Sequence, residues 1–272
     1  MPVQPSPALR ALIDDRYGDL AARCRAAGIP LHDDAGVAER IRNTLLASDF
    51  AFDVWCHQPE LLAPGLQRLR AGGDASTRVG ALKLSDDEAA CMETLRRFRH
   101  AEALRLVFRD VNDLDELPET LSATSVLYEA LLSAALGWSE RWMAARYGQA
   151  RDGDGAVQRL VVVGFGKLGG SELNFSSDID LVLAYPHGGE SDGTRTLDNS
   201  EYFVRLGRQL VRLLHEPTMD GICARVDLRL RPFGNAGRLA LSFAAMEQYY
   251  QNEGRDWERY AWIKARPVAG DR

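Results

Sequence analysis

Between Gln149 and Ala156 the chain changes its pattern of apolar residues, and few folds can hold both sides of that change. Upstream, apolar positions recur every three or four residues. Downstream they come as short β-branched runs closed by glycine or proline. The first pattern lines one face of a helix, and the second fills a buried strand. A chain of 272 residues carrying them in succession is expected to be α+β. The expected organisation is a helical region over 1–148, a polar, glycine-rich linker at 149–156 (QARDGDGA) and a mixed-sheet domain over 157–272.

In the first region PALRALIDDRYGDLAARCRAAG places Leu9, Leu12, Ile13, Tyr17, Leu20 and Cys24 at helical spacing, and Gly28 with Pro30 ends the run. Another helix is expected to open at Ser85, with Glu88 completing a capping box, and to run through Cys91, Leu95 and Phe98 toward Val111. A third runs from about Glu119 to Tyr147 and stops at Gly148. None of these carries an evident chemical motif, so the region reads as a bundle that packs on, or positions, the mixed-sheet domain. Downstream, Arg159–Val163, Ile179–Tyr185 and Ile222–Leu230 read as strands. A helix capped by Asp198 and Glu201 reaches Glu216, and helical stretches come after it at Ser242–Asn252 and Asp256–Ala265.

Composition removes several function classes. No apolar run reaches the roughly eighteen residues of a membrane span, and the start (MPVQPSPALR) lacks a basic segment followed by an apolar block, so a cytoplasmic protein is expected. Cys24, Cys56, Cys91 and Cys223 form no CxxC pair and are expected to be buried, reduced thiols. His32, His57, His100, His187 and His215 show no metal-ligand spacing. The net charge of −6 argues against a nucleic acid as partner, despite the local cluster Arg225, Arg229 and Arg231. A small nucleotide or a protein fits better.

The chemistry lies in GFGKLGGSELNFSSDIDLVLAY. Gly164, Gly166 and Gly169 satisfy the dinucleotide spacing GxGxxG, but SELNFSSD and a strand stand where that motif needs a helix. A phosphate loop of the Walker type fails as well, because no Lys comes after the second glycine. A third reading fits: a Gly170-Ser171 turn, then Asp178-Ile179-Asp180-Leu181 on a strand. Residues two apart on a strand share a face, so Asp178 and Asp180 can converge on divalent cations while Ile179 and Leu181 enter the core. Hard oxygen ligands beside phosphate suit Mg²⁺. Asp227, mid-strand in CARVDLRLRP, is the candidate third carboxylate, with an ordinary ion pair among arginines as the other reading. Gly169, Gly170, Ser171 and Ser177 are candidates to meet phosphate.

Three long stretches carry a resemblance: GFGKLGGSELNFSSDIDLVLAYP, LDNSEYFVRLGRQLVRLLHEPTMDGICARVDLRLRPFGNAGRLALSF and YYQNEGRDWERYAWIKAR. Over about residues 160–266 the chain resembles the bacterial family of bifunctional glutamine synthetase adenylyltransferase/adenylyl-removing enzymes. SDFAFDVWCHQPELL in the helical half is compatible with the same family. The resemblance implies a nucleotidyltransferase domain of the polymerase-beta-like class. Arg231–Gly234 (RPFG) and Gly254–Ala261 (GRDWERYA) resemble the amino-terminal, adenylyl-removing copy. That copy implies phosphorolysis of an AMP–tyrosine bond on glutamine synthetase to give ADP, with adenine nucleotide and phosphate as small partners and a PII signalling protein and glutamine as regulators.

On this expectation Asp178, Asp180 and Asp227 hold two Mg²⁺ ions on the α-phosphate. The attacking phosphate is already an anion, so no general base is required. Lys167, Arg229 and Arg231 neutralise phosphate, and Glu258, Arg259, Lys264 and Arg266 lie on a helix able to close over the site. The family's chain continues well past residue 272, so a fragment shortened at its C-terminal end is expected. Two alternatives stay open: AMP transfer from ATP to a protein tyrosine, and a non-catalytic module that binds nucleotide or glutamine synthetase.

Overall fold

A computed structural model describes residues 6–31, 34–62, 69 and 75–271; His32 lies outside them. The chain divides into two compact units, one of residues 1–73 and 100–123, the other of 74–99 and 124–272.

The elements of the first unit are opened by side-chain caps. Ser6 Oγ accepts from Leu9 N at 3.3 Å to begin α1 (Pro7–Ala26), Asp34 accepts from Gly36 N at 2.8 Å to begin α2 (Ala35–Ala47), and Ser48 accepts from Ala51 N at 3.1 Å to begin α3 (Asp49–His57). These helices bury Leu20, Cys24, Ile41, Leu45 and Trp55; of the helical repeat read from the sequence, Ile13, Leu20 and Cys24 are buried and Leu12 is exposed. Three more helices come next: α4 (Ala75–Gly80), α5 (Glu88–Val111) and α6 (Leu117–Tyr147), the last two contributing residues to both units. The cap of α5 differs from the expected Ser85–Glu88 box. Asp87 Oδ1 accepts from Ala90 N at 2.9 Å, while Ser85 Oγ holds Asp87 N and its carbonyl accepts from Trp138 Nε1.

The second unit continues with β1 (Ala150–Arg151), β2 (Val161–Gly164), the one-turn α7 (Gly166–Gly169), β3 (Ile179–Tyr185) and β4 (Glu190–Ser191). After them come α8 (Asn199–His215), β5 (Val226–Asp227), β6 (Ala240–Ser242), α9 (Phe243–Asn252), α10 (Asp256–Ala261) and β7 (Arg266–Gly270). Five strands form the main sheet in the order β5–β3–β2–β7, with β6 also on β3. β2 is antiparallel to β3 and to β7, whereas β5 and β6 run parallel to β3 at its start and its end. The sheet is therefore mixed, and the α+β class holds.

Residues 149–156 do not form an open connector. Ala150–Arg151 pair antiparallel with Glu190–Ser191, and Asp152 Oδ1 accepts from the amides of Asp154 and Ala156. The polar, glycine-rich composition serves a tight turn. The strand expected over Ile222–Leu230 is reduced to Val226–Asp227. Its first residues leave the ladder because the amides of Cys223 and Ala224 both donate to Leu214 O, and its last curl into a turn closed by Arg231 N on Leu228 O. The final helix ends at Ala261, not Ala265, and a 3₁₀ turn at Trp262–Lys264 leads into β7, which the sequence pattern did not reveal. Cys24, Cys91 and Cys223 are buried free thiols and Cys56 is half-buried; burial pushes the Cys223 thiol up to about 12. Among the described residues no helix is long and apolar enough to cross a membrane.

Candidate active site

Alternation along β3 sorts its side chains between two faces. Val182 and Ala184 pack with Val161, Val163, Phe165 and Met246, beneath Tyr250 and Trp262. Leu183 lies on the other face against α8, where a side chain at Gly207 would meet Leu183 Cδ1 at 2.7 Å. By the two-residue period, Asp180 shares the face of Val182. β5 then brings Asp227 directly beside it, since Asp180 and Asp227 are register partners across a parallel pair, as are Ile179 and Val226. Two carboxylates far apart in sequence so occupy one end of one sheet face.

Their electrostatics differ. Asp180 is held above the usual carboxylate range, first by burial and then by the charges of Asp227 and Asp178. Asp227 is held below it by the fork of Arg229, whose Nε lies 2.7 Å from Oδ2, and by Arg229 N at 2.8 Å from Oδ1. Asp178 precedes the strand, half-exposed, with Arg225 Nε 2.5 Å from its Oδ1; the same arginine also donates to Ser176 O. Arg225 was not singled out by the sequence as a site residue, because a guanidinium two residues before a candidate ligand carries no spacing signal. Gly166 was also missed. It adopts φ +54°, and a Cβ there would lie 2.9 Å from Asp180 Oδ2.

The glycine turn is placed differently from the expectation. The amides of Gly169, Gly170 and Ser171 donate to Phe165 O, Gly166 O and Leu168 O. A Cβ on Gly169 would collide with the Lys264 carbonyl, so that glycine answers to packing. Ser171, at φ +56°, accepts from Arg266 Nη2 at 2.9 Å. Ser177 Oγ donates to Asn174 Oδ1 at 2.6 Å, and Lys167 Nζ lies 3.4 Å from the same hydroxyl. Arg231 is committed to the carbonyls of Leu228, Asn235 and Gly237 and folds its own loop, and burial lowers its pKa.

The residues expected on one closing helix are dispersed. Glu258 is buried and caps α10 through Arg255 N, accepting also from Tyr249 Oη at 2.8 Å. Arg259 donates to Tyr250 O, Lys264 pairs with Glu172 from the 3₁₀ turn, and Arg266 stands on β7 paired with Glu129. The closing helix is therefore not what these four residues build.

Among the described residues no three acidic, His or Cys side chains stand close enough together to hold a metal ion as their rotamers lie. Asp178 and Asp227 are each turned onto an arginine. The donor set nevertheless fits a hard divalent cation: all oxygen, with two ligands in one register and an Asp180 charge disfavoured by both neighbours. A cation would relieve that repulsion once Arg225 and Arg229 turned away.

Comparison with known proteins adds a family. Residues 38–272 match the family model described as glutamate-ammonia ligase adenylyltransferase. A protein of Xanthomonas campestris pv. campestris (strain B100) is 52% identical over 270 residues, covering 98% of this chain and 28% of its own length. One from Stenotrophomonas maltophilia (strain K279a) is 55% identical over 230 residues, covering 83% of this chain and 24% of its own. One from Thioalkalivibrio sulfidiphilus is 43% identical over 278 residues, covering all of this chain and 28% of its own. Each is named a bifunctional glutamine synthetase adenylyltransferase/adenylyl-removing enzyme. The chain thus spans about a quarter of the length of these relatives.

Proposed function

The chain belongs to the glutamate-ammonia ligase adenylyltransferase family, and on that ground we propose that it carries an adenylyl-removing nucleotidyltransferase site acting on glutamine synthetase. The observation that carries the reading is the register of Asp180 beside Asp227, with Asp178 at the mouth of the same strand. The resemblance of RPFG and GRDWERYA to the amino-terminal copy of the family supports removal over transfer. In the reaction, a phosphate oxygen bonds to the phosphorus of tyrosine-linked AMP, the bond from phosphorus to the tyrosine oxygen breaks, and ADP and a free tyrosine result.

Asp178, Asp180 and Asp227 are the residues to hold Mg²⁺, which when bound supplies charge neutralisation at the reacting phosphoryl group. Asp180 feels burial first and then the charges of both other carboxylates. Arg225 and Arg229, once off their aspartates, offer guanidinium forks to the incoming phosphate, and Lys167 adds a point charge beside Ser177. Gly166 leaves the space in which the Asp180 carboxylate turns. The attacking phosphate is anionic, so this set contains no general base. A PII signalling protein as regulator is part of the same reading.

The test mixes the chain with adenylylated glutamine synthetase, Mg²⁺ and phosphate and monitors ADP. ADP that appears only with phosphate supports removal. ATP consumption with pyrophosphate release instead supports transfer, the other activity in the relatives' name. Nucleotide binding with neither product would assign a non-catalytic role.

A further inference from the structure

β5 is the outermost strand on its side of the main sheet. The carboxylates lie on one face of that margin, and on the other α8 and the turns between β5 and β6 enclose a groove of 830 Å³. Its floor is apolar, formed by Val204, Val211, Leu228 and Leu239. Its walls carry four arginines, Arg208, Arg212, Arg231 and Arg238, against the two glutamates Glu201 and Glu216. In a chain of net charge −6 this concentration of guanidinium groups runs against the average. Arg212 is matched by Glu88 and Glu216, and Arg238 donates to Ser200 Oγ. Arg208 is exposed and makes no ion pair among the described residues.

The groove reaches the carboxylate strand at two points. His215 Nδ1 accepts from Val226 N at 3.0 Å, one residue before Asp227, and Leu228 is the residue directly after Asp227. A segment lying in the groove thus needs only to pass over β5 to bring a neighbouring residue to the carboxylates.

From this geometry we infer that the groove is a docking surface for an acidic, partly apolar segment of the protein substrate. Its apolar residues meet the floor and its carboxylates meet Arg208 and Arg238. The inference rests on the reading that the site acts on a protein.

The test uses the full 272-residue chain and four probes: a fluorescent peptide of alternating Glu and Val, its Lys–Val counterpart, a single-stranded oligonucleotide, and AMP. The Glu–Val peptide is expected to bind and the Lys–Val peptide not. Arg208→Glu/Arg238→Glu is expected to weaken the former by at least about tenfold, with AMP binding unchanged. Unlabelled glutamine synthetase is expected to displace the peptide from the wild type. Should the double variant lose its melting transition, Arg208→Gln replaces it, with an expected loss of about threefold. Equal affinity of wild type and variant for the Glu–Val peptide overturns the inference. So does tighter, variant-sensitive binding of a single-stranded oligonucleotide, or failure of glutamine synthetase to compete. AMP that does not bind the wild type defeats the nucleotide reading instead, and leaves the peptide result to stand alone.

Discussion

Asp180 and Asp227 sit side by side on parallel strands, yet burial holds the pKa of Asp180 above the usual carboxylate range while Arg229 holds that of Asp227 below it. A raised carboxyl gives stability that is present below the unfolded pKa and lost as pH rises through the folded one. Ionised Asp180 therefore works against the fold at neutral pH, and Asp180→Asn should raise the melting temperature. A depressed carboxyl gives stability present above the unfolded pKa and lost as pH falls through the folded one, so Asp227→Asn should lower it. The expected shifts are of opposite sign and on the order of 2–4 °C each. Both variants should lose at least about 100-fold in turnover. Thermal melts at pH 7 beside an ADP assay decide; shifts of the same sign would contradict the electrostatic assignment.

Arg225 is paired with Asp178, so a cation bound there would have to displace it. Breaking a pair that is half-exposed on both sides costs little, so Arg225→Ala should tighten binding of Mn²⁺ by a few-fold, on the scale of an exposed ion pair. Titration monitored by electron paramagnetic resonance reports this without turnover. Weaker binding in the variant would mean that Arg225 positions the ligand instead of blocking it.

Two glycines on one short turn separate chemistry from packing. Gly166→Ala adds a methyl 2.9 Å from Asp180 Oδ2 at φ +54°, and should cost about 1 kcal/mol of stability together with most of the activity. Gly169→Ala drives its Cβ into the Lys264 carbonyl and Gly164 O, so the backbone must move and the loss should reach about 3 kcal/mol. Urea unfolding of both variants tests the contrast.

Arg96 is fully buried and donates to four carbonyls, Met92 O and Leu213 O at 3.0 Å, Glu216 O at 2.5 Å and Gly221 O at 2.8 Å. It ties α5 to the chain leaving α8, just ahead of the strand that carries Asp227. Arg96→Met strands those carbonyls and should destabilise by about 3 kcal/mol; Arg96→Lys, with no fork, should recover only part of that. A methionine variant with unchanged unfolding would contradict this role.

Elements with strong internal periodicity are legible in the sequence. α8 runs over Asn199–His215 behind the cap that Asp198 supplies, and β3 over Ile179–Tyr185, as expected. Even there the capping box is half realised, since Glu201 turns to Arg205. β7 was not legible because RPVAG is short, contains proline and becomes a strand only by pairing with β2. Clean alternation over Ile222–Leu230 promised a long strand, but tertiary hydrogen bonds to Leu214 O claimed its first amides. At the site, Asp178, Asp180 and Asp227 could be chosen from residue type and spacing. The arginine that Asp178 and Asp227 each grip, and the glycine that makes room for Asp180, are properties of the packed chain alone.

β7 has a consequence for how this protein can be handled. Val161–Gly164 of β2 is wholly buried, and on its outer side, among the described residues, it pairs with Arg266–Gly270. A shorter piece lacking those five residues would keep every candidate ligand and bare a β-branched strand with unmade hydrogen bonds. Such a surface recruits copies of itself. Insolubility after trimming there would report a lost neighbour in the sheet and would say nothing about the chemistry.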